Sequence, residues 1–460
     1  MTCKPIHAVM AIFVATLFVV VPGAICTAQT KPIAFTNAHV ITIAGEEIDK
    51  GTVVIKDGKI AAVGKADAVK IPADAQTIDA AGKFIMPGLV DTHSHVGGVA
   101  GADGSSPIQP SIRVYDSLNP FDQGFRRAVA GGLTTLNIMP GSGHLMSGQT
   151  VYVKMRGLKK AQDGKGGPTI DDLFILDDNG KQMGGMKMAN GTNSMGNAPF
   201  PGTRAKSAAL VREQFVKAQE YRAKHDAAAL KGDPDKMPPR DLAMEALVEI
   251  LDGKRVVHHH THRADDIMTV LRLQKEFGFR VVLHHVSEAW KVAPQIAQAG
   301  VPCSVIVVDS PGGKLEAAEM SWATGAVLEK AGVHVAFHTD DWITDSRLFL
   351  RSAALAVRAG MSRAGALRAM TIEGAKILDL DKRIGSLEVG KDADVIMLSA
   401  DPLSVYAHVE QTWVDGNKVF DRSKAEDRLY ATGGYGAGSA VKPYMCCAEH
   451  AVQAASTFGQ

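Results

Sequence analysis

Between roughly Ile85 and Leu380 the chain repeats one unit about eight times, a short apolar strand followed by a stretch with helical spacing. No other feature constrains the fold as much. The candidate strands are LVDTHSH, TTLNIMP, TVYVKM, the GGMKMA region, RVVHHHTH, RVVLHH, VPCSVIVV and HVAFHTDD. DDIMTVLRLQKEFG, WKVAPQIAQAG and LEAAEMSWATGAVLEKAG follow the later strands, each with helical spacing and a Gly near its end. Strands alternating with helices predict a (β/α)8 TIM barrel, in which working side chains gather at the C-terminal strand ends. The His-bearing motifs fall at those ends.

Two β-rich segments flank this repeat. IAFTNAHVITI and GTVVIKDGKIAAVG, with Asp57-Gly58 as a hairpin turn, precede it; DADVIMLS and TWVDGNKVFD, turning at Asp415-Gly416, follow it. The economical arrangement is one small β-sandwich built from both flanks, residues 32–84 and 385–422, with the barrel at 85–384 inserted and a tail at 423–460. From Gly157 to Arg240 the pattern is interrupted by many glycines, a Met-rich stretch and a long polar helix from Ser207 to about Leu230. So long an insertion predicts an active-site lid around the fourth strand.

Lys4, the apolar run from Ala8 to Val21 and the small residues before Ala28 describe a secretory signal peptide over residues 1–28, and hence an exported, periplasmic or extracellular protein. Five cysteines fall to three after cleavage, Cys303, Cys446 and Cys447, so no disulfide framework is legible. Fifty basic side chains against 49 acidic ones leave a net charge of +1, with no basic stripe for nucleic acid.

In PGLVDTHSH the apolar run delivers His93 and His95 to its own end. Residues two apart on a strand share a face, so both imidazoles can grip one metal ion. Lys187 in GGMKMANG, His260 and His262 in VVHHHTHRADD, His285 in VVLHHVSEAW and Asp340 in VAFHTDDW stand at other strand ends. Alternation sets His259 opposite His258 and His260, turns His284 away from His285 toward the helical layer, and points His338 into the barrel. His144, Lys154 in TVYVKMRG, His262 and Arg263 are candidate substrate contacts near the mouth.

This ordered set resembles the amidohydrolase superfamily, and more narrowly its imidazolonepropionase-like and prolidase-like branch. The resemblance runs from roughly Pro32 to Arg422, with GSLEVGKDADVIML as the return into the flanking β-structure. It implies His93 and His95 as first-strand metal ligands, His260 as the fifth-strand and His285 as the sixth-strand ligand, and Asp340 as eighth-strand ligand and general base. It also implies one or two zinc ions, with a carboxylated Lys187 as the bridge if there are two; Lys154 is the rival for that place. After Lys187 the chain departs from the family's Gly-Glu-Asn-Pro-Lys type of turn, carrying Gly191-Thr192-Asn193-Ser194-Met195 instead.

The expected activity is hydrolysis of a carbon–nitrogen bond by metal-activated water, on a small molecule such as a dipeptide, an N-acyl amino acid or a cyclic amide. Export fits poorly with the intracellular breakdown of imidazolone propionate. A deaminase of the same superfamily is the alternative enzyme, and a zinc-capturing protein served by the HHHTH cluster is the alternative class. Capture needs no carboxylate base at the eighth strand, so Asp340 separates the two classes. No stable membrane association is expected after cleavage, and an assembly of identical subunits is compatible with the reading.

Overall fold

A computed structural model describes residue 29 and residues 31–99, 102–158, 168–232, 237–307, 314–341 and 343–433. The expected signal peptide, Cys446, Cys447 and most of the tail lie outside the described residues.

Five strands precede the barrel: β1 (Ile33–Val40), β2 (Ile48–Lys56), β3 (Lys59–Lys65), β4 (Gln76–Asp79) and β5 (Phe84–Pro87). The barrel strands are β6 (Leu89–Ser94), β7 (Leu133–Ile138), β8 (Met146–Gln149), β9 (Val151–Lys154), β10 (Met186–Ala189), β11 (Val257–Thr261), β12 (Val281–His285), β13 (Cys303–Ile306) and β14 (Val335–His338). β15 (Val395–Leu398), β16 (Val409–Val414) and β17 (Asn417–Asp421) return to the first group. The two flanks share one eight-stranded sheet in the order β17-β16-β15-β5-β1-β2-β3, with β4 beside β1. Its joint is the antiparallel pairing of β5 with β15, the last strand before the barrel and the first after it. Phe35 and Trp413, from opposite ends of the chain, meet edge-on at 5.5 Å in its core. Where a two-layer sandwich was expected, the described strands form a single continuous ladder.

The middle of the chain is a TIM-barrel-type α/β fold. One ladder joins β6, β7 and β9, and another runs β14-β13-β12-β11-β10-β8. The ladders are separate, but hydrogen bonds cross both seams. Asp340 N–H donates to His93 O at 2.9 Å on one side, and Tyr152 N–H donates to Met183 O at 2.9 Å on the other.

The third position departs from the expected repeat. β9 runs antiparallel to β7, and β8 antiparallel to β10. A parallel return needs a crossover of about a dozen residues or more. Only residues 139–145 separate β7 from β8, so the chain turns straight back.

That reversal relocates Lys154. Because β9 points away from the mouth, its last residue pairs with Thr135 near the start of β7, at the opposite end of the barrel. There the buried ammonium reaches Asp392 at 2.6 Å, Asp394 at 3.3 Å and Asp415, all from the composite sheet. Burial disfavours the charge, but the three carboxylates overcome it and raise the Lys154 pKa. Lys154 is therefore a joint between barrel and sheet rather than a substrate contact or a metal bridge. Lys154→Met should strand buried carboxylates and cost about 3–5 kcal/mol of stability. Denaturant unfolding at neutral pH measures the loss, and an unchanged midpoint would dismiss the joint.

The expected lid is also corrected. Residues Arg204–Lys231 form a single helix, capped by Thr203. Val211, Phe215 and Ala218 make its buried stripe, and Phe215 stacks on Phe277 and Phe279 at 5.1 Å. Spacings of four and three place those residues on one face, so the helix joins the outer layer. Among the described residues, the turn after β10 (Thr192–Ser194) contacts Glu316, a neighbour of the site histidines.

Candidate metal centre

The first-strand histidines meet as their spacing requires. His93 Nε2 and His95 Nε2 lie 3.3 Å apart, and Asp340 Oδ1 stands 3.0 Å from the second and 3.4 Å from the first. Donors held about 2.0–2.1 Å from one tetrahedral zinc are separated by about 3.3–3.4 Å, so these three atoms fit a shared ion. His95 Nδ1 donates to Met139 O at 2.7 Å, which leaves the proton off Nε2. Burial and the nearby Lys187 charge hold the His93 pKa well below its ordinary value, and burial does the same for His260 and His285. Neutral imidazole is the form that binds metal.

Lys187 lies wholly inside the barrel, with Nζ 3.0 Å from His93 Nε2. The two preceding glycines make room: a Cβ on Gly185 would collide with the His258 ring. Burial pushes the Lys187 pKa down to about 7, against the pull of Asp340.

Backbone conformation corrects the expectation for His284. The ring does not face the helices; it sits inside the barrel, with Nδ1 3.3 Å from His93 Nδ1 and Nε2 3.0 Å from His258 Nδ1. Strict alternation would then turn His285 outward. Instead His285 and Val286 adopt φ of +69° and +48°, and this left-handed turn swings the second ring back into the mouth. Asp340, at φ +49°, is re-aimed in the same way. Left-handed backbone at such residues is uncommon and concentrates at working sites.

A hydrogen-bond chain sets the tautomer of His285. Phe337 O can only accept, so the Thr92 hydroxyl donates to it at 3.3 Å. Thr92 Oγ1 then accepts from Ser304 at 2.6 Å, Ser304 Oγ from His338 Nδ1 at 2.7 Å, and His338 Nε2 from His285 Nδ1 at 3.1 Å. His285 consequently turns a bare Nε2 into the mouth, where it has no hydrogen-bond partner among the described residues. A second line runs from His93 through His284 and His258 to Tyr152 OH, 3.0 Å from His258 Nε2. Ser304→Ala should free His338 to take the other tautomer and weaken metal binding about 10- to 100-fold. Chelator competition on the purified protein checks this; wild-type affinity would detach the chain from the metal.

The remaining candidates divide. His260 is buried, neither ring nitrogen has a hydrogen-bond partner among the described residues, and its ring centroid lies 4.4 Å from that of His285. His262 is buried with Nδ1 on Ser287 Oγ at 2.7 Å and Nε2 unpartnered. His338 lies inside the barrel, and His259 faces the opposite way, lining a small cleft with Arg204 and Asp266. His144 is held by Asp103 O at 2.8 Å and packs on Phe200, which gives it a role in loop structure. Arg263 is spent on Asp265 at the surface and joins none of the site histidines.

Sequence reading missed Glu316. Its carboxylate groups with His260 and His262, their ligand atoms all within 4.8 Å. It sits in a 3-10 turn, Leu315–Ala317, rather than at a strand end. The one available signal in the sequence was the Gly-Gly pair at 312–313, a turn-forming dipeptide shortly before it.

The amidohydrolase family matches residues 119–420, and the chain belongs to that family. A crystal structure of an amidohydrolase from Thermotoga maritima superposes with a TM-score of 0.76 at 34% identity, over 85% of this chain and all of that one. The amidohydrolase tasK of Hapsidospora irregularis is 29% identical over 396 residues, 81% of this chain and 40% of that protein. The chain thus spans well under half the length of that relative. A 5-methylthioadenosine/S-adenosylhomocysteine deaminase of Symbiobacterium thermophilum is 24% identical over 77% of this chain and 81% of its own.

Proposed function

We propose that the chain is an exported hydrolase of a carbon–nitrogen bond, carrying two zinc ions bridged by a carboxylated Lys187. The observation that carries this reading is the placement of Lys187: a buried amine 3.0 Å from a ligand histidine, its pKa lowered to about 7. A large neutral fraction at neutral pH lets Nζ attack carbon dioxide. The N–C bond forms, one proton leaves, and the resulting carbamate is an anion where an ammonium would repel metal. His93, His95 and Asp340 would hold one ion, and His260 and His285 would serve the other.

Bound zinc supplies an acidified water and polarises the scissile carbonyl. Asp340 takes the proton of the attacking water and returns it to the departing amine. Its carboxyl is held well below the usual range, since the contacts led by the His95 hydrogen bond outweigh burial, so it is ionised and free to take a proton. His285 is kept in the metal-binding tautomer by the chain that ends on Phe337 O.

The test uses mature protein from the exported fraction, expected to begin at Gln29. Metal analysis should find two zinc ions, and a panel of dipeptides, N-acyl amino acids and cyclic amides should contain a substrate. The deaminase relative covers most of both chains and supports the second reading. Ammonia release from an aminated ring, with one metal bound, would establish that reading and overturn the first.

A further inference from the structure

We propose that Glu316 and His262 form a subsite that reads an ammonium group on the substrate. This rests on the hydrolytic reading and narrows its candidates to molecules with a free amine.

Glu316 is built into place. Its Oε2 accepts Thr192 N–H at 2.8 Å and faces Arg204 Nη2 at 3.4 Å, while Oε1 is buried and has no hydrogen-bond partner among the described residues. Arg204 is not free to complete it, because its Nε is held by Asp266 at 2.9 and 3.1 Å. One guanidinium thus serves two carboxylates. Across the gap stands His262 Nε2, also buried and unpartnered, its other nitrogen occupied by Ser287. His260 belongs to the same 4.8 Å group but is committed to the second ion, which leaves Glu316 and His262 to the substrate.

Glu316 Oε1 is an acceptor whatever its neighbours carry, and His262 Nε2 joins it as an acceptor in the tautomer whose Nδ1–H donates to Ser287 Oγ. A buried acceptor without a donor is unfavourable, so the group that completes the site must bring N–H bonds or positive charge. An ammonium with its N–H bonds at about 2.9 Å spans acceptors up to roughly 4.7 Å apart, a reach compatible with atoms that all lie within 4.8 Å of one another. Carboxylates, phosphates and carbonyls bring only acceptors.

The turn that departs from the family pattern carries this site. Gly191, at φ +77°, aims Thr192 N–H at Glu316, and a Cβ there would press against the carboxylate at 2.7 Å. The altered loop and the added acid therefore belong together. A dipeptide carries the required amine; its N-acetylated form, N-acyl amino acids and simple cyclic amides do not.

The test compares kcat/KM for a hydrolysed dipeptide and its N-acetylated form, in the wild-type holoenzyme and in Glu316→Gln. The wild type should prefer the free amine, and Glu316→Gln should cut that ratio roughly 10- to 100-fold. An equal loss on both substrates would reduce Glu316 to a support for Thr192 and Arg204, and loss of bound metal would make it a ligand; either result overturns the subsite. Calorimetry with an amino acid amide and its N-acetyl form, on both proteins, decides the question without turnover. A binding preference for the free amine that vanishes in Glu316→Gln upholds the subsite even if no carbon–nitrogen bond is cleaved, in which case the hydrolytic reading alone fails. No preference in the wild type overturns it.

Discussion

Asp340→Asn should retain its metal and lose most of its turnover, with kcat falling by a factor of about 100 to 10,000. The substitution is unusually clean at this position. Asp340 sits at φ +49°, a left-handed conformation in which Asn is among the best-tolerated side chains, so the backbone has no reason to shift. Its amide N–H still donates to His93 O, which keeps the eighth strand end tied to the first. The amide oxygen of Asn can occupy the place of Oδ1, 3.0 Å from His95 Nε2, and face an ion there. It has no basic lone pair with which to take a proton from water. Steady-state kinetics and metal analysis on the same preparation separate the two roles. Near-normal kcat with full metal would remove Asp340 as the base, whereas loss of metal would show that its charge is needed to hold the ion.

The parts of this molecule visible in the sequence are those where chemistry and periodicity coincide. His93, His95, Lys187 and Asp340 each follow an apolar run, so strand pattern and ligand chemistry reinforce one another, and the structure brings these four together. The composite sheet was legible because Asp57-Gly58 and Asp415-Gly416 mark hairpins on both flanks of the repeat. Alternation failed where the backbone leaves the extended region. A period of two carries no warning that His285 and Val286 turn left-handed, and that turn is what puts both His284 and His285 inside the barrel. Strand direction was equally hidden. TVYVKM reads the same whether it runs with its neighbours or against them, and only the short link between β7 and β8 decides it. Glu316 belongs to a third kind, a residue on a turn whose partners come from two distant segments.

Lys187→Ala should lower the bound metal from two ions to one or fewer and reduce kcat accordingly. Two divalent ions held close together repel each other unless an anion lies between them, and a carbamate supplies one where an ammonium would add to the repulsion. Lys154 offers no substitute, since it is committed to Asp392, Asp394 and Asp415 at the far end of the barrel. Lys154→Ala should accordingly lower stability and leave the metal count alone. Alanine also removes the bulk that carries the carbamate, leaving a space beside His93 that a small carboxylate can enter. Added acetate or propionate should therefore restore part of the activity to Lys187→Ala while leaving Asp340→Asn unchanged, because only the first variant lacks a bridge. Metal retained at two ions in Lys187→Ala would exclude the bridge. A wild-type protein with a single ion, indifferent to the loss of Lys187, would shift the balance toward the one-metal chemistry of a deaminase.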